Sequence, residues 1–229
     1  MKILNRIVTF LLSIAVFPAL VFRMLVRAVV SVNPDSSVYK ILSAFVKDTI
    51  DRKMEITVSL KDAFEYWQNG TFSFGGMDFS IKNLPKELFI TKNWLIASGV
   101  LIAVTVLIAI IIMGCSLFAQ AHKTVMGLSA GALACLFAAV KCFGKFAAPF
   151  VNGTIDIGEM LANNLINDDA GLIGTIGSAA LKGAIKIDIL QLSNAVFTLG
   201  IIYGLILLWT LAYYITLPEK EKKKKTNNK

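Results

Sequence analysis

Residues 94–118 read WLIASGVLIAVTVLIAIIIMGCSLF, twenty-five positions without a single charged side chain. About 20 helical residues cross a hydrocarbon core roughly 30 Å thick, so this run is long enough to span a bilayer. Trp94 stands at its start, where an interfacial anchor belongs. Three further runs follow the same reading. Ile3–Phe22 is apolar apart from Asn5, Arg6 and small polar residues. Thr124–Val140 is shorter and rich in Gly and Ala, and Ala195–Leu217 ends on Trp209, Tyr213 and Tyr214 as an aromatic belt.

Composition supports lipid as the solvent. AVILMFWYC residues make up 56% of the 229, 17% are charged, and the mean hydropathy is +0.69. Soluble domains lie near about 45–50% apolar, with Gly included, and about 25% charged. A soluble interior could not hold this excess, so it must face lipid.

Lys2 and Arg6 precede the first run as in a signal peptide, but its apolar core is long and no clean small-x-small cleavage site follows. It is expected to be an uncleaved anchor. The formal charge of +8 is concentrated in Pro218–Lys229 (PEKEKKKKTNNK), with six lysines against two glutamates. Beside a span, such a run chiefly sets orientation by the positive-inside bias, with anionic-lipid contact as a by-product. Lys2, Arg6, the turn Gln120–Lys123 and the lysine tail therefore mark the cytosol, with both termini inside and two segments outside.

The expected fold is a membrane all-α bundle of four transmembrane helices, with a small mixed α/β extracytoplasmic domain built from two loops. The division runs as 3–30 for the first span and its extension, 31–92 for the first external segment, and 93–118 for the second span. A cytosolic turn follows at 119–123, then the third span at 124–145, the second external segment at 146–193, the fourth span at 194–217 and the basic tail at 218–229. The small residues Gly127, Ser129, Ala130, Gly131, Ala132 and Ala134 predict close backbone approach, and so an inner position for the third span.

In the first external segment, Asp35 or Ser36 can cap a helix with Val38, Ile41, Leu42, Phe45 and Val46 on one face. Glu55–Leu60 (EITVSL) alternates as a half-buried strand, and Ser59 could cap a short helix bearing Ala63, Phe64 and Trp67. Thr71–Ile81 (TFSFGGMDFSI) reads as a hairpin turning at Gly75-Gly76. In the second, Thr154–Ile157 (TIDI) reads as a strand, Gly158–Ile166 as a short helix, and Ala184–Leu190 (AIKIDIL) as a strand with Ile185, Ile187 and Ile189 on one face. Neither segment alone has much to bury its strands against, so one sheet drawing on both is expected.

Gly171, Gly174, Gly177, Ala180 and Gly183 recur at every third place. Each Gly weakens a free helix by about 1 kcal/mol, so the segment must pack closely to be ordered; a re-entrant or pore-lining element is the alternative.

The two halves share short matches. Asn69–Met77 (NGTFSFGGM) agrees with Asn152–Met160 (NGTIDIGEM) at five of nine positions. Arg23 and Arg27 follow the first span as Lys141 and Lys145 follow the third, each pair four residues apart on one expected helical face. A duplicated span–external–span unit and a coincidence of turn chemistry both account for these. The four cations either snorkel to lipid phosphates or build a lipid, anion or partner contact. Both Asn69 and Asn152 also head N-glycosylation patterns.

Enzyme signatures are weak: no P-loop or HExxH occurs, Gly127–Gly131 (GLSAG) fits GxSxG but lies inside an apolar span and not at a strand-to-helix turn, and the lone histidine, His122, has no clustered neighbours in sequence. Cys115, Cys135 and Cys142 lie in or beside spans, with no CxxC pair to hold a metal. A non-enzymatic protein without cofactors is expected. Its partners would be the lipid bilayer and a membrane or envelope protein or a second copy, with no nucleic acid. The alternative is a small channel or transporter subunit using the Gly-rich segment and the third span. The outline resembles claudins and tetraspanins in topology alone, because their external cysteine pairs and Trp or Cys-Cys-Gly signatures are absent.

Overall fold

The computed structural model describes residues 2–33, 35–37, 40, 53–60, 71–74, 77–80, 86–118, 122–156, 158 and 183–216. In chain order the elements are α1 (Lys2–Phe22), β1 (Met24–Val32), β2 (Met54–Ser59), β3 (Thr71–Phe74), β4 (Met77–Ser80), α2 (Lys86–Phe118), α3 (His122–Val151), β5 (Ile185–Leu192) and α4 (Asn194–Thr216).

All four helices are long and apolar enough to cross a membrane. At 1.5 Å per residue, the 21, 33, 30 and 23 residues of α1 to α4 are about 32, 50, 45 and 35 Å long. Helices α2 and α3 thus exceed a hydrocarbon core by half again, and each begins or ends well beyond its expected span.

The chain divides into two compact units, with boundaries that fall inside those two long helices. One comprises Met1–Phe22, Gly99–Ala139 and Ala195–Lys229; the other comprises Arg23–Ser98 and Val140–Asn194.

In the helical unit, burial follows seams. Along α3, Val125, Ser129, Ala132, Leu136 and Ala139 are buried at 3–4 spacing. Gly127 and Gly131 are off that seam, and a Cβ at either would meet nothing within 4 Å. Of the small residues expected to allow close approach, Ser129 and Ala132 are on the buried seam and the two glycines are not. The most enclosed of the four is α4, with 39% of its apolar window buried against 28% for each of the others. Thr105, Ile112, Ser129, Leu199, Tyr203 and Ile206 are fully or almost fully buried, and the Tyr203 hydroxyl donates to the Thr105 carbonyl.

The second unit holds a three-stranded antiparallel sheet in the order β2-β1-β5, joining the first segment to the second as expected. Its central strand corrects the sequence reading. Met24–Val32 is not a continuation of the first helix but β1, separated from α1 by Arg23 alone. The valines at 26, 29, 30 and 32 explain the switch, since β-branched side chains are stiff in a helix and pack well on a pleated surface.

β1 pairs with β2 through Val26↔Val58 and Ala28↔Ile56, and with β5 through Ala28↔Leu190, Val29↔Ile189 and Val30↔Ile187. The last two pairs bracket a bulge at Asp188. Because Val29 and Val30 point to opposite faces, the bulge sends Ile187 and Ile189 to opposite faces as well. The expected single face of Ile185, Ile187 and Ile189 is thereby broken: Ile187 is 7% exposed and Ile189 39%. Ile187 joins Phe150 and Ile155 in a core, with Val30, Phe146, Val151 and Leu190 packed against it. The opposite face carries Arg27, Glu55, Thr57 and Gln191.

β3 and β4 pair as the expected hairpin, Thr71↔Ser80 to Phe74↔Met77. Thr154–Ile157 is not a strand over its described residues. Asn152-Gly153 instead terminates α3, with Gly153 at φ 71°, and Ile155 N–H donates to the Pro149 carbonyl at 3.0 Å. A left-handed glycine past a helix end reverses the chain, and here it folds Ile155 back into the core. The expected helices at 38–46, 63–67 and 158–166 lie wholly or mostly outside the described residues.

Candidate functional site

The sheet unit presents the best-formed candidate. Among the described residues β5 is an outer strand, bonded on one side to β1. Beside it the end of α3 and the entry to β5 frame an open cavity of about 420 Å³, lined by residues that include Asn33, Phe150, Asn152, Ile155, Asp156 and Lys186. Its frame is a clasp around Gly183. Asp156 Oδ2 accepts the Gly183 N–H at 2.7 Å, Asn33 Nδ2 donates to the Gly183 carbonyl at 2.9 Å, and Asn33 N–H donates to the Ala184 carbonyl at 2.8 Å. Gly183 sits at φ 70°, a conformation open to glycine at little cost. The exit of β1, the turn after α3 and the entry to β5 are thus tied at one residue.

The apolar wall (Phe150, Ile155, Ile187) gives such a cavity binding area, and Asn33, Asn152, Asp156 and Lys186 give it orientation. Asn152 and Thr154 of the glycosylation pattern are exposed here, while Asn69 lies outside the described residues.

The four cations singled out from sequence have separate surroundings. Arg27 lies on β1 and forms an ion pair with Glu55, at 2.7 Å to Oε1 and 3.1 Å to Oε2. Its charge is therefore met by a carboxylate, and it cannot share a helical face with Arg23, which is an exposed bend before the strand. Lys141 and Lys145 do lie one turn apart on α3, and Lys145 Nζ stands 4.2 Å from the centre of the Trp94 ring. A basic pair on a helix in one half thus corresponds to a bend and a strand in the other. The NGT match likewise sets a strand beginning at Thr71 against the capping turn at Asn152–Thr154. Each half still holds two long helices with a strand between them, but at these two matched stretches the local structure is unlike. Of the glycine series, Gly183 is the clasp, and Gly171, Gly174 and Gly177 lie outside the described residues.

No protein-family model, curated protein or solved structure matches this chain.

Sequence reasoning missed one cluster. His122, isolated along the chain, has Asn5 Nδ2 3.3 Å from its Nδ1 and the Tyr213 ring 4.8 Å away, edge to face. Residues from all four helices, among them Asn5, Thr9, Ser116, His122 and Thr210, line one small cavity there. Asn5, Thr9, Ser116 and Thr210 are buried. Polar side chains at i, i+4 on an apolar helix (Asn5, Thr9, Ser13) were the available signal.

Proposed function

We propose that this is a non-enzymatic integral membrane protein, four helices crossing the bilayer as a bundle, whose sheet unit docks an extended segment of another membrane or envelope protein. The observation that carries the reading is the outer strand β5 running beside the cavity at the end of α3. An outer strand offers unpaired backbone groups to an added strand, and adjacent pockets select its side chains. Cytosolic termini, supported by the lysine tail and the Lys2/Arg6 pair, put both segments of the sheet on the outer side.

Photo-crosslinking residues at the exposed β5 positions Lys186 and Gln191 test this, with the exposed Phe197 of α4 as the control. Discrete adducts at both strand positions, competed by excess unlabelled protein, are expected. Adducts no more frequent than at Phe197 contradict it. Of the Gly-rich segment on which, beside the third span, the channel reading leans, only Gly183 lies among the described residues.

A further inference from the structure

Hydroxyl groups inside apolar helices ordinarily turn back to their own backbone, which satisfies them without leaving the helix. Buried hydroxyls in this protein do so: Ser13 donates to the Thr9 carbonyl at 2.8 Å, Thr105 to Ile102 at 2.7 Å, Ser116 to Ile112 at 2.6 Å and Ser129 to Val125 at 2.8 Å, as does the exposed Thr216 to Tyr213 at 2.8 Å. Thr9 and Thr210 do not. Their hydroxyls, together with Asn5 Oδ1, have no protein hydrogen-bond partner. The three residues are 3%, 1% and 4% exposed, so bulk solvent does not serve them. Leaving such groups unsatisfied in an apolar surrounding is costly.

All three residues line the same cavity of about 10 Å³. That is about the room one water occupies. We propose that this cavity is a binding site for a single water molecule, which joins α1 to α4 through Asn5, Thr9 and Thr210. The donor and acceptor count selects water. Asn5 Oδ1 only accepts, so the guest must donate; each threonine hydroxyl can donate, so the guest must also accept. Water does both at once. A metal cation is disfavoured because Arg6 lines the same cavity and no carboxylate among the described residues does, and a halide cannot satisfy an amide oxygen. Asn5 Nδ2 stands 3.3 Å from His122 Nδ1, which accepts in the Nε2–H tautomer, and Oδ1 is then the end of the amide left for the guest.

The isosteric substitutions Thr9→Val and Thr210→Val give opposite signs for a wet and a dry cavity. Removing an unsatisfied hydroxyl from a dry site raises stability; removing a ligand of a bound water lowers it. Each single variant of the full chain in detergent is expected to lower the thermal midpoint by a few degrees. The double variant should lose clearly less than the sum, since one water can be lost only once. A raised or unchanged midpoint in either single variant, or strict additivity, overturns the proposal. If the variants do not fold, the unaltered protein decides by water-to-protein magnetisation transfer. A long-lived contact at the Thr9 and Thr210 methyls supports the site, and its absence overturns it.

Discussion

Alanine substitution at Ile187 and at Ile189 separates the bulged sheet from a plain alternating strand. Regular alternation gives these residues one environment; the bulge at Asp188 gives them two. Ile187 is 7% exposed within the Phe150–Ile155 core, so Ile187→Ala loses the transfer energy of an almost fully buried side chain together with its packing against that core. Such truncations cost 2–5 kcal/mol, and about 3 kcal/mol is expected here. Ile189 is 39% exposed on the other face, where water fills the space left behind. Ile189→Ala then loses only part of its transfer term, about 1 kcal/mol. Hydrogen exchange at the Ala28 and Val30 amides of the central strand reads both. With a factor of ten for each 1.4 kcal/mol, exchange accelerates about 100-fold for the first and about 5-fold for the second. Equal acceleration by the two variants, or a larger effect at Ile189, refutes the assigned faces.

Three further outcomes follow from the same geometry. Gly183→Ala forces a side chain into a left-handed position and should cost about 1–2 kcal/mol, measured as loosened exchange protection at the Asn33 amide, which donates to the Ala184 carbonyl, and at the β5 amides beyond it. Asp156→Ala removes a charged acceptor from the Gly183 N–H and is expected to cost about 1.5–3 kcal/mol, with a smaller loss for Asp156→Asn, in thermal unfolding. The Arg27–Glu55 pair has side chains 40% and 51% exposed, so a double-mutant cycle with Gln at both positions should give no more than about 1 kcal/mol of coupling, weakened further by salt.

The four helices were legible because an apolar run of bilayer length has few other uses, as residues 94–118 show. The strands β2 and β5 were legible from alternation, and so was their need for a shared sheet. β1 was misread because MLVRAVVSV continues the apolarity of α1 without a turn residue between them, and only its valines distinguish strand from helix. The bulge was invisible for another reason: AIKIDIL alternates perfectly, and the phase break arises from pairing with β1.

The site was legible in its pieces only. Asn152-Gly153 was visible as a turn signal, yet Asn33, Asp156 and Gly183 become a clasp only when strands far apart in sequence pair. The polar cavity is assembled from positions 5, 9, 116, 122 and 210, of which a local pattern relates only Asn5 and Thr9, one turn apart on α1. The Arg23/Arg27 pair was misplaced because its spacing was given a helical meaning, which holds for Lys141 and Lys145 on α3 but not for β1.

Side-specific labelling tests the central claim most directly. Single cysteines replace the exposed Lys53, Lys123 and Thr154 in a chain whose native Cys115, Cys135 and Cys142 are changed to alanine. A membrane-impermeant maleimide applied to intact cells should label positions 53 and 154, and reach position 123 only after the membrane is opened. Labelling of position 123 in intact cells, or opposite behaviour of 53 and 154, contradicts a four-span protein whose sheet draws both its segments from one side of the membrane.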